Sequence, residues 1–439
     1  MKATLVDRFI TGGVRPSDKN HSNAMSLDTN IGVETDGQHM IRLLVFTSLY
    51  PDAVRPRHGV FVEERLRHLV DSGRITATVV APVPWFPFRH RVFGDYATFA
   101  RVPRYEERHG IRILHPRYPV IPKLGMNIAP SLMYHALLPL FRAMKRDGAD
   151  FDLIDAHYLY PDGVAAIRLA EYMGKPAVIT ARGSDVNVIA QYRRPSLRIR
   201  WAAQRAAAIV TVSEALKAKV LDLGVSVDKV VTLRNAVDLD RFEPLDRSAI
   251  RTKLELTDAV WMAVGHLIEL KGVHITLAAL AKTVDVTLLI AGEGPEKARL
   301  RDLADDLGVS DRVRFLGNVP HEKLSDYYNA ADALVLASSH EGMPNVVLES
   351  LACGTPVVAA PFESASELLS APEAGEIAQR RSADAIVSAW QRLRSRSTSR
   401  AATRRFAEQF GWRPVVEAQC ALYEKVLVAA TGPGPGVGR

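Results

Sequence analysis

Cysteine is scarce, with two in 439 residues, Cys353 and Cys420. Both sit in apolar patterns of helical spacing, so neither a disulfide framework nor a cysteine-rich zinc site is readable, and a reducing compartment is expected. Long apolar runs are missing too. No stretch approaches the roughly 18 uninterrupted apolar residues of a membrane-spanning helix. A secretory signal is also missing: residues 1–40 are polar and aperiodic, with no basic start leading into an apolar core. They read as a disordered tail, and Met40, just before the first strand-like run, is a candidate true start.

Hydrophobic residues make up 47% of the chain, which is the composition of a folded globule, and the length suits two or three domains. The net charge of +7 is unevenly spread. Residues 41–240 carry 29 Lys and Arg against 19 Asp and Glu, while residues 241–439 carry 23 against 25. A basic half of this kind meets something anionic, and nucleic acid, an anionic membrane surface and phosphorylated substrates all stay open on charge alone.

Short apolar runs alternate with helical patterns. IRLLVFT, ATVVAP, DLIDAHY, PAVITA and AIVTVS read as buried strands in the first half. AVWMAVG, VTLLIAG, VRFLG, ALVLAS and PVVAA follow in the second. This alternation predicts an α/β chain with two doubly wound, Rossmann-like parallel sheets. Expected boundaries are a first domain over residues 41–235, a second over 236–411, a terminal helix over 412–430 and a flexible tail from 431 to 439. Ligands of such sheets sit beyond the carboxyl ends of the strands, here expected to line an interdomain cleft.

The stretch SSHEGMPNVVLESLACGTPVVAA holds two glutamates, Glu341 and Glu349. Pro344 suits the first position of a helix expected from Asn345 to Cys353, with Gly354 and Pro356 ending it. The amino end of that helix is a ready phosphate site. Eight helical positions span roughly 12 Å, beyond the 5–9.5 Å that separates glycosidase carboxylates. The glutamates therefore read as two separate contacts to sugar hydroxyls flanking a diphosphate, as in a nucleotide sugar.

EGMPNVVLE resembles the paired-glutamate motif of the family-4 glycosyltransferases, enzymes of GT-B fold. VGHLIELKG, AGEGPEKARL, RVRFLGNVPHEKLSDYYNAAD and RNAVDLDRFEP match that family in order. SLYPDAVRPRHGVFVEE, DAHYLYPDG and TARGSDVN resemble its branch that builds bacterial surface polysaccharide. The resemblance implies a retaining transferase with the terminal helix crossing back onto the first domain. It implies that Lys271 holds the donor diphosphate, that Gly59 lets a backbone amide approach phosphate, and that His157 and Glu341 meet the transferred sugar. Gly342, Met343, Pro344, Asn345 and Glu349 then complete the donor site, with Gly292, Glu293, Asn318 and Val319 near the nucleotide. His266 stands where many members carry arginine, and Arg182 where histidine is usual before glycine. Arg182 and Asp185 are candidate sugar or acceptor contacts. Asp238-Leu239-Asp240 spells a D-x-D, but in the resembling family this segment is structural. No metal and no cofactor are expected.

PVPWFPFRHRVFG (82–94) and KLGMNIAPSLMYHALLPLFRAMKR (123–146) mix apolar and basic residues. They raise a peripheral contact with the inner face of a membrane, a lipid-linked glycan as acceptor, and a cytoplasmic location. Nucleic acid would explain the basic half but not the glutamates. Two other readings are a non-catalytic nucleotide-sugar scaffold of a polysaccharide assembly complex and a GT-B nucleotide-sugar epimerase.

Overall fold

The structure, a computed structural model, describes residues 40–85, 88, 90, 95–120, 125–148, 151–396 and 398–431. Residues 1–39 and 432–439, on which the expected tails fall, lie outside them. The chain divides into two compact units. The first takes the described residues up to Thr180, Arg193–Ile209, and those from Cys420 onward; the second takes Ala181–Tyr192 and Val210–Gln419.

The first unit holds β1 (Ile41–Phe46), β2 (Ile75–Val80), β3 (Val83–Trp85), β4 (Tyr105–Arg108), β5 (Ile111–Leu114), β6 (Arg117–Pro119), β7 (Leu153–His157) and β8 (Ala177–Ala181). Within its main sheet the strands run in the order β8-β7-β1-β2-β5-β4. All neighbours are parallel except the β4–β5 pair. Leu43, Leu44, Val45 and Phe46 of β1 are at most 2% exposed, as expected of a strand covered on both faces. The sequence pattern missed β3, β4, β5 and β6. Each has only three or four residues, and β4 (YEER) is charged at nearly every position, so none shows an apolar run long enough to read as a strand.

The helix Ala129–Arg146 buries Met133, Leu137, Leu140, Phe141 and Met144 along one stripe, so its apolar face is core. In the preceding aromatic segment, Trp85 and Phe88 are more than half exposed. Phe86, Pro87, Arg89 and residues 91–94 lie outside the described residues. No helix among the described residues is long and apolar enough to cross a membrane.

His115, just after β5, is 1% exposed, and its Nδ1–H donates to the Ala81 carbonyl at 3.2 Å. Burial, aided by Arg117 and Arg55, pushes its pKa down from 6.5 to about 4. The folded state therefore refuses a proton that the unfolded chain accepts. As pH falls from 6.5 toward about 4 the fold should lose stability, by at most about 3 kcal/mol at about 1.4 kcal/mol per unit. Urea midpoints across that range should drop in the wild type and drop less in His115→Asn; parallel curves would contradict the assignment.

The second unit holds β9 (Ala259–Val264), β10 (Val286–Ala291), β11 (Val313–Gly317), β12 (Ala333–Leu336), β13 (Val357–Ala359) and β14 (Gly375–Ile377). They run in the order β11-β10-β9-β12-β13-β14, all parallel. Trp261 of β9 is fully buried and packs edge-on against Trp390, with ring centroids 5.7 Å apart. From β9 the chain builds outward in one direction to β11, then crosses to β12 and builds in the other. The switch point thus lies between β9 and β12, and parallel sheets of this kind open a crevice there, at the carboxyl ends of the strands.

Candidate active site

The loops that leave β9 and β12 bring the key side chains of the second unit together. After β9 the chain runs through Gly265 and His266 to Lys271, in a short turn that Gly272 ends with a left-handed φ of 68°. After β12 it runs through Ser338 to Glu341. Lys271 Nζ donates to Glu341 Oε1 at 2.6 Å, across exactly that switch point in strand order. The two side chains are 30% and 12% exposed, so the ion pair borders solvent without being immersed in it. The Glu341 N–H donates to Glu363 Oε2 at 3.3 Å, and Glu363 Oε1 accepts from Lys219 Nζ and His340 Nδ1. Burial works against the Glu363 charge, and the bonds from His340 and Lys219 overcome it, holding its carboxyl below the usual range.

The helix after Glu341 spans Asn345–Ala352. Pro344 does not occupy its first position, as the sequence suggested. Its ψ of 117° is extended, so it flanks the helix, and its carbonyl accepts the Val347 N–H at 3.1 Å. Cys353 closes the helix as expected. Glu349 lies in the second turn and is 6% exposed. Its Oε2 accepts from the Tyr328 hydroxyl at 2.7 Å, and its Oε1 lies 2.9 Å from His321 Nε2. Arg241 Nη1 is 3.2 Å from His321 Nδ1. A guanidinium can only donate, so Nδ1 accepts and Nε2–H donates to Glu349. Burial first, then the Glu349 charge, pushes the Tyr328 hydroxyl well above its usual pKa, so it stays a donor. Two of the roughly four acceptor positions of the Glu349 carboxylate are thereby taken. Sequence reasoning missed His321, Tyr328 and Arg241. They are scattered over the chain, and only the helical packing collects them.

Gly342 explains how the loop closes. A Cβ there would lie 2.3 Å from the Arg182 carbonyl oxygen and 3.2 Å from Gly183 Cα, so the loop packs backbone to backbone against TARGSD. Asn235 laces the two: Arg182 Nη1 donates to its Oδ1 at 3.3 Å, while its Nδ2 donates to Met343 O at 2.9 Å and Asn345 Oδ1 at 2.8 Å. Asp185 is fully buried and accepts the N–H groups of Gly183, Val186 and Arg182, which shapes this turn. Asp238 uses its Oδ1 likewise on the N–H groups of Asp240 and Arg241, so the D-x-D ties its own backbone.

His266 Nδ1–H donates to the Glu293 carbonyl at 2.8 Å. A neutral imidazole then has no second N–H to offer, and its Nε2 is an acceptor. That N–H is therefore spent on the backbone. Gly292 and Glu293 follow β10, and the Glu293 carboxylate takes Lys297 Nζ at 2.6 Å. Asn318 and Val319 follow β11, with Asn318 exposed. All four lie at the carboxyl edge of the same sheet.

Gly59 and His157 belong to the first unit. There β1 and β7 are adjacent while β2 lies on the other side of β1, so the switch point falls between β1 and β7. The two loops leaving them are joined by Ser48, whose N–H and hydroxyl donate to Asp162 Oδ2 at 2.7 and 2.8 Å. Gly59 opens the helix Val60–Asp71 at φ 76°, and a Cβ there would strike the Leu49 carbonyl oxygen at 2.3 Å. His157 ends β7, 2% exposed, with Nε2 3.4 Å from Asp155 Oδ2. Asp155 also accepts from the Tyr423 hydroxyl at 2.8 Å, and Tyr423 comes from the helix Trp412–Thr431.

Comparison with known proteins bears on this arrangement. The profile described as Glycosyltransferase Family 4 matches residues 59–241, and that described as Glycosyl transferases group 1 matches residues 246–410. TuaC of Bacillus subtilis, provisionally a teichuronic acid biosynthesis glycosyltransferase, is 30% identical over 75% of this chain and 83% of its own length. A D-inositol 3-phosphate glycosyltransferase of Mycobacterium tuberculosis is 35% identical over 45% of this chain and 44% of its own. Among solved structures, sucrose-phosphate synthase from Thermosynechococcus elongatus superposes with a TM-score of 0.70 at 19% identity, covering 89% of this chain and 100% of that one. Anabaena HepE, solved with UDP-glucose, gives 0.65 at 19% identity, over 88% and 100%. The fold is GT-B, and the chain belongs to family 4 of the glycosyltransferases.

Proposed function

We propose that this chain is a retaining, metal-independent transferase that moves a sugar from a nucleoside diphosphate onto a glycan or lipid-linked glycan during surface polysaccharide synthesis. The Lys271–Glu341 pair at the switch point of the second unit carries the reading: it offers one cation and one sugar-hydroxyl acceptor beside the amino end of the helix Asn345–Ala352. Lys271 and the unladdered N–H groups of that helix take the diphosphate. Glu349 takes the ribose through its remaining acceptor positions, while Glu341 and His157 act on the transferred sugar. Gly59, Gly292, Glu293, Asn318 and Val319 border the donor, and Arg182 supplies further positive charge. The departing diphosphate itself helps deprotonate the acceptor hydroxyl. Positive charge fixed in advance on that leaving group supplies much of the rate. The names of the Bacillus relative and of the HepE complex support the substrate class.

The test starts with a thermal-shift screen of nucleoside diphosphate sugars. Release of nucleoside diphosphate from the stabilising donor is then measured with and without EDTA. Glu349→Ala should raise the donor KM, and His157→Ala should chiefly lower kcat. Wild-type kinetics in both variants would remove the site assignment.

A further inference from the structure

The second unit has a cavity of about 380 Å³ that the chemistry above does not use. It opens at the opposite end of the sheet from Lys271. Ala259 starts β9, Asp332 directly precedes β12 and Pro356 directly precedes β13, so the cavity lies at the amino ends of these strands. Five arginines line it, Arg247, Arg251, Arg394, Arg396 and Arg400, against two aspartates, Asp258 and Asp332. Asp332 is shared: Arg247 Nη2 and Arg251 Nη2 both donate to it. Arg396 pairs with Glu376, but Glu376 also holds Arg392, so adding that cluster leaves the cationic surplus unchanged.

Arg394 and Arg400 have no carboxylate partner among the described residues. Arg394 lies over the Trp390 ring, 5.5 Å from its centroid. Arg400 spends its Nη2 on the Asn329 side chain and the Cys353 carbonyl. The Nε–H groups of Arg247 and Arg400 are buried with no acceptor. Burial first, and then the neighbouring Arg247 charge, pulls the Arg400 guanidinium below its ordinary pKa. Cations gathered around a concave space at a net surplus are costly unless an anion joins them. Planar guanidinium forks suit phosphate oxygens in particular.

We propose that this cavity is a second binding site, for a compact phosphate-bearing anion, distinct from the donor site. A cavity of about 380 Å³ accommodates a molecule of diphosphate or sugar-phosphate size. The indole of Trp390 and the side chain of Leu393, also in the wall, give it an apolar side.

The probe is inorganic pyrophosphate, titrated calorimetrically into the full chain as wild type, as R394E/R396E and as Lys271→Ala. Arg394 and Arg396 are solvent-exposed, so the double variant is expected to fold, and its melting curve checks that. Besides any binding at the donor site, which Lys271→Ala should weaken, the expected result is a binding event that survives Lys271→Ala but weakens about tenfold or more in R394E/R396E, the size of a lost charge-assisted contact. Arg251→Gln, which leaves Arg247 on Asp332, should weaken the same event. Equal titrations for wild type and R394E/R396E, or loss of all binding in Lys271→Ala, would overturn the proposal. Sedimentation with phosphatidylglycerol vesicles identifies the source. Vesicle binding that pyrophosphate displaces and R394E/R396E lacks assigns the phosphate to a headgroup; pyrophosphate binding without sedimentation assigns it to a soluble molecule.

Discussion

Lys271→Ala is expected to lower kcat/KM for the donor by about 10²–10³-fold, the effect of removing one preorganised group that stabilises developing charge. The geometry makes a sharper forecast for its partner. Lys271 Nζ sits 2.6 Å from Glu341 Oε1, so before a donor arrives the cation is already neutralised. A diphosphate has to compete with that carboxylate for it. Glu341→Gln keeps the shape and removes the competing charge. It should therefore bind nucleoside diphosphate several-fold more tightly while turning over more slowly, because the transferred sugar loses an ionised acceptor. The double variant should fall well short of the sum of the two single effects, since both act through one contact. Nucleoside diphosphate affinity by calorimetry and donor kinetics measure the two quantities separately. Unchanged affinity in Glu341→Gln would show that the pair does not gate the diphosphate.

Gly342→Val should be nearly as damaging, by a different route. A side chain at this position starts 2.3 Å from the Arg182 carbonyl oxygen, and the obstacle is backbone on both sides. The loop carrying Glu341 and Met343 has to move away from TARGSD, which also strains the Asn235 bonds to Met343 and Asn345. A displacement near 1 Å is enough to cost about 10²-fold in rate. The variant should still fold, because the contact closes a surface loop and the core strands are untouched. A near-wild-type unfolding transition with kcat/KM reduced about 10²-fold is the expected pair of results. Wild-type activity would mean that the loop reaches its working shape without this close approach.

Most of the fold was legible because parallel strands covered on both faces are predominantly apolar: β9 and β12 are unbroken apolar runs, and β1, β7 and β10 are interrupted only at Arg42, at Asp155 and His157, and at Thr287. The helix behind EGMPNVVLE was legible from its flanking proline and terminal glycine, although Pro344 lies one position outside it. Short strands such as β4 were not legible, because they are held by neighbours and not by their own composition. Glu341, Glu349 and Lys271 stood out as charged residues in a patterned stretch. The partners of Glu349 did not. His321 and Tyr328 lie 28 and 21 residues from it, and neither spacing has local meaning.

The amino-acid sequence by itself determined the α/β alternation, the two doubly wound sheets and the family. Periodicity and ordered motifs are local properties, and they survive without coordinates. Tertiary structure alone decided that Lys271 is paired with Glu341, that His266 spends its N–H on a carbonyl, that Asn235 joins two loops, and that five arginines surround one cavity. Each depends on chain segments brought together by packing, where distance in space bears no relation to distance along the chain.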